Sequence, residues 1–404
     1  MSRPDRSLSP VAVQCLVYLS FAAPIGLYGA AWPAARHEFG QTAGALGVVI
    51  TAYSIGRTST SASALVVLRR IPIGMATAIC CLVLATADVV VAVGRSFPVL
   101  VAAVGVVGLV SGVLDSLGSR FQTVVRDVGR SGLVLGAYGV GATLAPGLTA
   151  VTSWTTGNLV AAGAAVAAAI AAVGGAVAWP EGLEGVSETS RGPDPDRAHR
   201  VPIRRAALLV SLGLAATCVG IEAMTGNWMA TVLEDHRGAS ARHVGLAMSG
   251  FWAGVTVGRL ALSRLHVPPR RLLVVASTAT LVTVVLLGVV PVGVALVGLT
   301  VVGLSVGPLF PTVVSTTADR VGVPAAGRVS GWQLLSGNGS LIVMTALLGL
   351  AVSVWGEGLP YLVVLGLAAG AAILCRIAVR LPPAAGDGMG DTVDDEAEQR
   401  AVRP

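Results

Sequence analysis

The chain has 404 residues, of which 54% are hydrophobic and 12% charged, and its mean hydropathy is +0.79. A soluble domain carries about a quarter charged residues, so a soluble enzyme or soluble binding domain is excluded. The net charge is +6, and all 27 basic residues are arginines; no aromatic-interleaved basic patch accompanies them, so nucleic acid is not an expected partner.

Twelve apolar stretches fill the chain, at 10–34, 42–67, 72–93, 97–119, 131–153, 157–179, 205–232, 241–263, 271–290, 292–317, 326–353 and 357–380. Each is close to the ~20 residues that cross a bilayer. Backbone groups in lipid must pair within their own segment, so each stretch predicts a helix. The roughly ten-residue alternating segments of a membrane β-barrel are absent.

Polar residues inside these stretches are costly, which makes them the candidate site. The first span ends with Tyr28 and Trp32, rings able to stack on a flat ligand or to join an interfacial aromatic belt. Arg57 stands deep in the second span, about 18 Å along the helix from Arg69 at 1.5 Å per residue. That is too far for easy snorkelling. Thr58, Ser59 and Thr60 follow it with hydroxyls. Its fork suits an anionic ligand or an internal carboxylate. Asp88 lies near the end of the third span, with Arg95 as a candidate partner. Asp115 in the fourth is the sharpest signal: a carboxylate in the bilayer costs ~2.5–3.5 kcal/mol or more, and taking up a proton removes that charge. It is a proton carrier or the counter-ion of Arg57 or Arg120. Pro146 predicts a break in the fifth span.

Residues 181–204, with GPDPDRAHR, read as a polar linker. It divides the chain into a six-helix bundle over 1–180 and another over 205–381; the acidic segment 382–404 reads as a disordered tail. In the seventh span Glu222 shares a face with Gly226, and Asn227 and Trp228 follow. Arg259 in the eighth is five residues from Arg264 and could snorkel. Pro308 and Pro311 predict breaks in the tenth, and Trp332, Gln333 and Asn338 give the eleventh a polar stripe.

The halves repeat. Gly40, Gly47 and Gly56 recur as Gly238, Gly245 and Gly254 at an offset of 198, and Gly108 and Gly112 as Gly303 and Gly307 at 195. Two six-span halves around a midplane site is a secondary-transporter plan. The position related to Asp115 is Phe310. With both termini on the cytoplasmic side, 21 arginines fall on that side, in loops, termini and span ends, and four (Arg36, Arg95, Arg237, Arg242) on the outer side, the bias expected of a multi-pass protein of a bacterial inner or plasma membrane. The cysteines Cys15, Cys80, Cys81, Cys218 and Cys375 all lie in apolar spans and read as packing residues. There is no phosphate-binding loop and no cluster of metal ligands, so neither enzymatic activity nor a cofactor is expected.

Three stretches carry a resemblance: GLYGAAWPAARHEFG; VGIEAMTGNWMATVLEDHRGASARHVGLAMSGFWAGVTVGRL; and GLSVGPLFPTVVS. Across residues 10–380 the chain resembles the major facilitator superfamily, and these stretches resemble its branch of fucose–proton symporters and related bacterial permeases. The resemblance implies an all-α fold of twelve transmembrane helices in two pseudo-symmetric bundles. It implies proton coupling at Asp115 and a substrate or proton role for Glu222, with Arg57, Tyr28, Trp32, Asn227, Trp228, Trp332, Gln333 and Asn338 as substrate-binding candidates. The chain departs from the superfamily in two places: LRRIPIG lacks the usual acid, and the early fourth span lacks the usual arginine.

The expected function is a proton-coupled transporter of a small solute, a sugar or small organic acid, acting as a monomer in the lipid bilayer by alternating access. One alternative is a proton-driven exporter of a metabolite or drug, since GATLAPG is similar to an exporter signature. A third is a transporter-like receptor that moves nothing.

Overall fold

The computed structural model describes residues 9–67, 71–125, 128–174, 179, 203–261 and 267–382. The linker read at 181–204 and the tail read at 382–404 lie outside the described residues, apart from 203, 204 and 382. Helices α1 to α6 are Pro10–Glu38, Leu46–Val67, Ile73–Val93, Phe97–Val125, Val128–Thr149 and Trp154–Val173. Helices α7, α8 and α9 are Arg205–Thr231, Ala241–Ala261 and Pro269–Val289. The tenth span is divided into α10 Val292–Val306, α11 Leu309–Ser315 and α12 Thr317–Val321. Helices α13, Val323–Trp355, and α14, Leu359–Arg380, complete the chain.

Among the described residues, 11 helical segments are long and apolar enough to cross a membrane. The 22-residue α2 packs among them and completes the twelve. The surface they present is aliphatic; Leu209, Val289 and Leu350 are among its exposed members. An apolar surface this extensive is what a bilayer, rather than water, accommodates.

The two sequence repeats are two copies of one packing device. Gly56 of α2 packs on the carbonyl of Gly105 in α4, while Gly108 and Gly112 of α4 receive the backbone of Tyr53 and Arg57. In the second half Gly254 of α8 packs on the carbonyl of Thr300 in α10, and Gly303 and Gly307 receive Phe251 and Val255. A methyl group at any of these glycines would collide with backbone, so the stripe sets how closely the helices approach. The turns repeat as well: Gly40 and Gly238 have φ of 61° and 68°, a conformation glycine adopts without steric cost.

Proline acts unequally. The tenth span breaks at Gly307–Pro308, as its sequence predicts, whereas α11 runs through Pro311 without the second expected break. The break expected at Pro146 does not occur, because α5 continues through it to Thr149. Proline loses one hydrogen bond in a helix, and neighbouring helices can hold the geometry. Here Gly26 of α1 packs against the Ala142 carbonyl, the one that Pro146 leaves without its helical donor.

The halves meet from their middle to one end, the end bearing the 39–45 and 237–240 loops, called here the far end. Gly29 of α1 packs on Gly226 and Asn227 of α7, and Gly47 of α2 on Thr345 and Gly349 of α13. Ser249 of α8 donates to the Thr143 carbonyl of α5 at 2.6 Å. At the rim Arg36 pairs with Asp235 at 3.1 Å.

Candidate functional site

Two arginine–carboxylate pairs stand in the interior, one in each half. The glycine stripe brings α2 against α4 so closely that Arg57 Nη2 donates to Asp115 Oδ2 at 2.9 Å. The Arg57 fork is also held by Tyr53, one turn earlier on its own helix, whose hydroxyl accepts from Nη1 at 3.4 Å. In the second half Arg259 of α8 grips both carboxylate oxygens of Glu222 in α7, at 2.7 and 2.6 Å.

Tyr138 of α5 links the two pairs. Its side chain lies within electrostatic reach of both Arg57 and Arg259. Its ring meets Phe21 and Tyr18 of α1 at centroid distances of 5.6 and 6.5 Å, forming an aromatic wall. Tyr18 accepts a hydrogen bond from Gln122 of α4 at 3.3 Å.

The side chains of Arg57 and Asp115 are 28% and 40% exposed, and those of Arg259 and Glu222 37% and 20%. Charged groups paired across the bundle and still this accessible line a cavity between the halves. Among the described residues the halves pack together toward the far end, so that cavity is reached from the opposite end, where α1 and α7 begin. With both pairs ionised the site carries no net charge. A proton on either acid leaves an arginine fork in need of a new acceptor, which is how a proton and a polar ligand can depend on each other.

The site candidates divide into three groups. Arg57, Asp115 and Glu222 are at the cavity. Tyr28, Trp32, Asn227 and Trp228 are buried in the packed region around the far-end contacts, not in an interfacial belt. There Trp32 Nε1 donates to the Ala43 carbonyl at 3.0 Å, so this ring holds the α1–α2 turn in place. The stripe in α13 does not act as one surface: Gln333 is buried and accepts from Thr317 at 2.9 Å, whereas Trp332 is exposed beneath Arg328, 5.3 Å from its ring centre, and Asn338 is half-buried.

Three other expectations are corrected. Arg259 pairs with Glu222 instead of snorkelling, because α8 presents it inward toward α7. Asp88 does not pair with Arg95; it is fully buried while Arg95 is exposed. Arg320, read as a loop residue, is buried at the tenth-span break, donating to Ser211 at 2.9 Å, Thr316 at 2.7 Å and the Val313 carbonyl at 2.6 Å. Tyr53 and Tyr138 were missed as site residues. The i, i+4 spacing of Tyr53 and Arg57 was a usable signal; a lone tyrosine among the glycines of α5 was a weaker one. No group of three or more metal-ligating side chains occurs among the described residues.

No curated protein matches the sequence. Solved structures match over nearly their whole length. The D-xylose–proton symporter aligns with a TM-score of 0.72 at 12% identity, covering 92% of this chain and 97% of the other. The nucleoside transporter NupG gives 0.70 at 13% identity, covering 92% and 97%. A bacterial homologue of the human lysosomal transporter Spinster, in an inward-facing and occupied conformation, gives 0.69 at 13%, covering 94% and 98%. At such identities the likeness is one of fold. The sequence profile of the Major Facilitator Superfamily matches residues 14–342, and with twelve spans in two glycine-stitched repeats around a charged cavity, the chain belongs to that superfamily.

Proposed function

We propose that this protein is a proton-coupled secondary active transporter that moves a small polar solute, a sugar or small organic acid, by rocking its two halves about the central cavity. The observation that carries this reading is the presence of two partly exposed arginine–carboxylate pairs, one per half, inside a bundle whose halves, among the described residues, pack together toward the far end. In the proposed cycle Asp115 takes a proton and releases Arg57, whose fork then accepts a carboxylate or hydroxyl of the cargo. Glu222 and Arg259 act in the same way from the other half, and Tyr138 orders the space between them. Two fold neighbours, a D-xylose–proton symporter and a nucleoside transporter, are transporters of the same kind.

The arginine bias supports cytoplasmic termini under the positive-inside rule. The cavity then opens to the cytoplasm and the far end faces outward. Charged walls favour a polar cargo over the lipophilic molecules of a drug exporter, because burying an unpaired arginine against an apolar ligand costs solvation that nothing restores.

Purified protein in liposomes, with an imposed proton gradient and a panel of labelled sugars, organic acids and lipophilic compounds, tests the proposal. Proton-driven accumulation of a polar solute that Asp115→Asn abolishes is the expected result. Accumulation that persists in Asp115→Asn removes the assigned role, and movement of lipophilic compounds alone replaces this reading with the exporter. Binding without counterflow would make the protein a receptor.

A further inference from the structure

The first half buries a carboxyl group that the transport site does not use. Asp88 of α3 has no exposed surface, and neither of its side-chain oxygens has a hydrogen-bond partner. No charged residue lies on α6 or on the 97–114 stretch of α4, the helices packed beside it.

Two interhelical hydrogen bonds set what faces Asp88. Trp154 Nε1 donates to the Val91 carbonyl at 3.2 Å, and Thr155 Oγ1 to that of Ala92, also at 3.2 Å. Helices α3 and α6 run antiparallel, so one turn further from the far end Asp88 comes opposite Asn158. Each shares its helix face with the residues already in contact. Asn158 is fully buried too; its Nδ2 donates to the Trp154 carbonyl at 2.9 Å, while its Oδ1 has no partner. From α1, Tyr28 lies against Trp154 with ring centroids 5.9 Å apart, is within electrostatic reach of Asp88, and has a buried hydroxyl without a partner.

Four buried oxygens without a hydrogen-bond partner therefore lie on neighbouring stretches of α3, α6 and α1: two of a carboxylate, one amide and one phenol. Three are pure acceptors when the acid is ionised, and the phenol supplies the single hydrogen. Buried polar atoms in folded proteins are almost always satisfied, and a buried charge needs a counter-charge. Oxygen-only donors suit a hard cation, and a lone carboxylate balances a single positive charge.

We propose that Asp88, Asn158 and Tyr28 form a binding site for one sodium ion, separate from the transport cavity. The site also has a route of communication with that cavity. The Tyr28 ring meets Tyr53 edge-on at 6.4 Å, and Tyr53 holds Arg57. Binding here is read without any cargo, so its outcome is independent of the proposed transport activity.

The test is thermal unfolding of the full chain in detergent, at fixed pH and ionic strength, in sodium, potassium or choline chloride. A ligand that binds only the folded state raises the melting temperature in a saturable way. We expect sodium to raise it by several degrees over choline, Asp88→Asn to lose that response, and Asn158→Leu to weaken it several-fold in sodium concentration. Should Asp88→Asn fail to fold, equilibrium binding of radioactive sodium to the wild type and to Asn158→Leu decides, with one ion per wild-type chain expected. Identical melting in sodium and choline overturns the proposal and leaves Asp88 as a carboxyl that simply carries a proton. A sodium response kept by both variants overturns it as well, since the ion then binds elsewhere.

Discussion

In the first half Tyr53 and Arg57 lie on the glycines of α4; in the second, Phe251 and Val255 lie on those of α10, at the same two places. The backbone contacts match, and the side chains do not. The arginine of the second half, Arg259, comes one turn later, and its acid is on α7, whereas the first half keeps its acid on α4. The place related to Asp115 holds Phe310. What the repeat preserves is the line of small residues that fixes helix separation. Charge has been placed in each half separately, so a nearly symmetric frame surrounds an unsymmetric site. Such a frame lets two halves rock against each other, while unequal pairs let them treat proton and cargo differently.

The largest effects are expected where the halves are alike. Gly108→Val and Gly303→Val each force side-chain atoms into a facing backbone. Overpacking of this kind costs ~1–3 kcal/mol or more, and folded protein recovered by size-exclusion chromatography should collapse for both. A second half that tolerates Gly303→Val would break the comparison at its root.

The next effects separate the two pairs. Asp115→Asn is expected to lower proton-driven accumulation by about tenfold or more, as for loss of an essential intramembrane acid, while counterflow at equal pH continues. Glu222→Gln should mainly weaken cargo affinity, read from the concentration dependence of uptake. Identical behaviour of the two would mean that the halves share the proton task.

A stability comparison is subtler. Arg57→Leu and Arg259→Leu each leave an unpaired acid, but these pairs reach solvent, so each should cost only ~1 kcal/mol, seen as a few degrees in melting temperature. The double change Arg259→Leu with Glu222→Gln should recover part of that loss, because no lone charge remains. No recovery would mean that Arg259 matters for packing rather than for its charge.

The smallest effect concerns the rim. The Arg36–Asp235 pair joins the halves where they are sealed, its side chains only 14% and 15% exposed, and a rim pair of this kind contributes ~1 kcal/mol. Arg36→Ala should raise the labelling of Ser353→Cys, beside Gly44, by a membrane-impermeant maleimide by about two- to fivefold, the population shift that such an energy allows. Unchanged labelling would leave the seal to the glycine contacts alone.

Much of the frame was legible because lipid leaves few options. Helix number and approximate ends follow from apolar length, and the repeat from glycine spacing. Arg57 and Asp115 stood out because charge is rare in these spans, and their pairing was already one of the readings open. Arg259 was misread because distance along its own helix said nothing about the acid on α7. Tyr28 and Trp32 could be read as ligand-stacking or interfacial rings from their positions near a span end, but that end is where the halves close, and the rings are buried there.

By itself the sequence determined the class of molecule, the twelve spans, the twofold repeat and which few polar residues had to be explained. Hydrophobic length and residue type are local properties, and the bilayer enforces them one segment at a time. The tertiary structure decided which charges meet, toward which end the halves pack together, and that Asp88, Asn158 and Tyr28 are buried with polar atoms left unpartnered. Those are relations between segments far apart in the chain, fixed by how close glycine lets the helices come and in which rotation they meet.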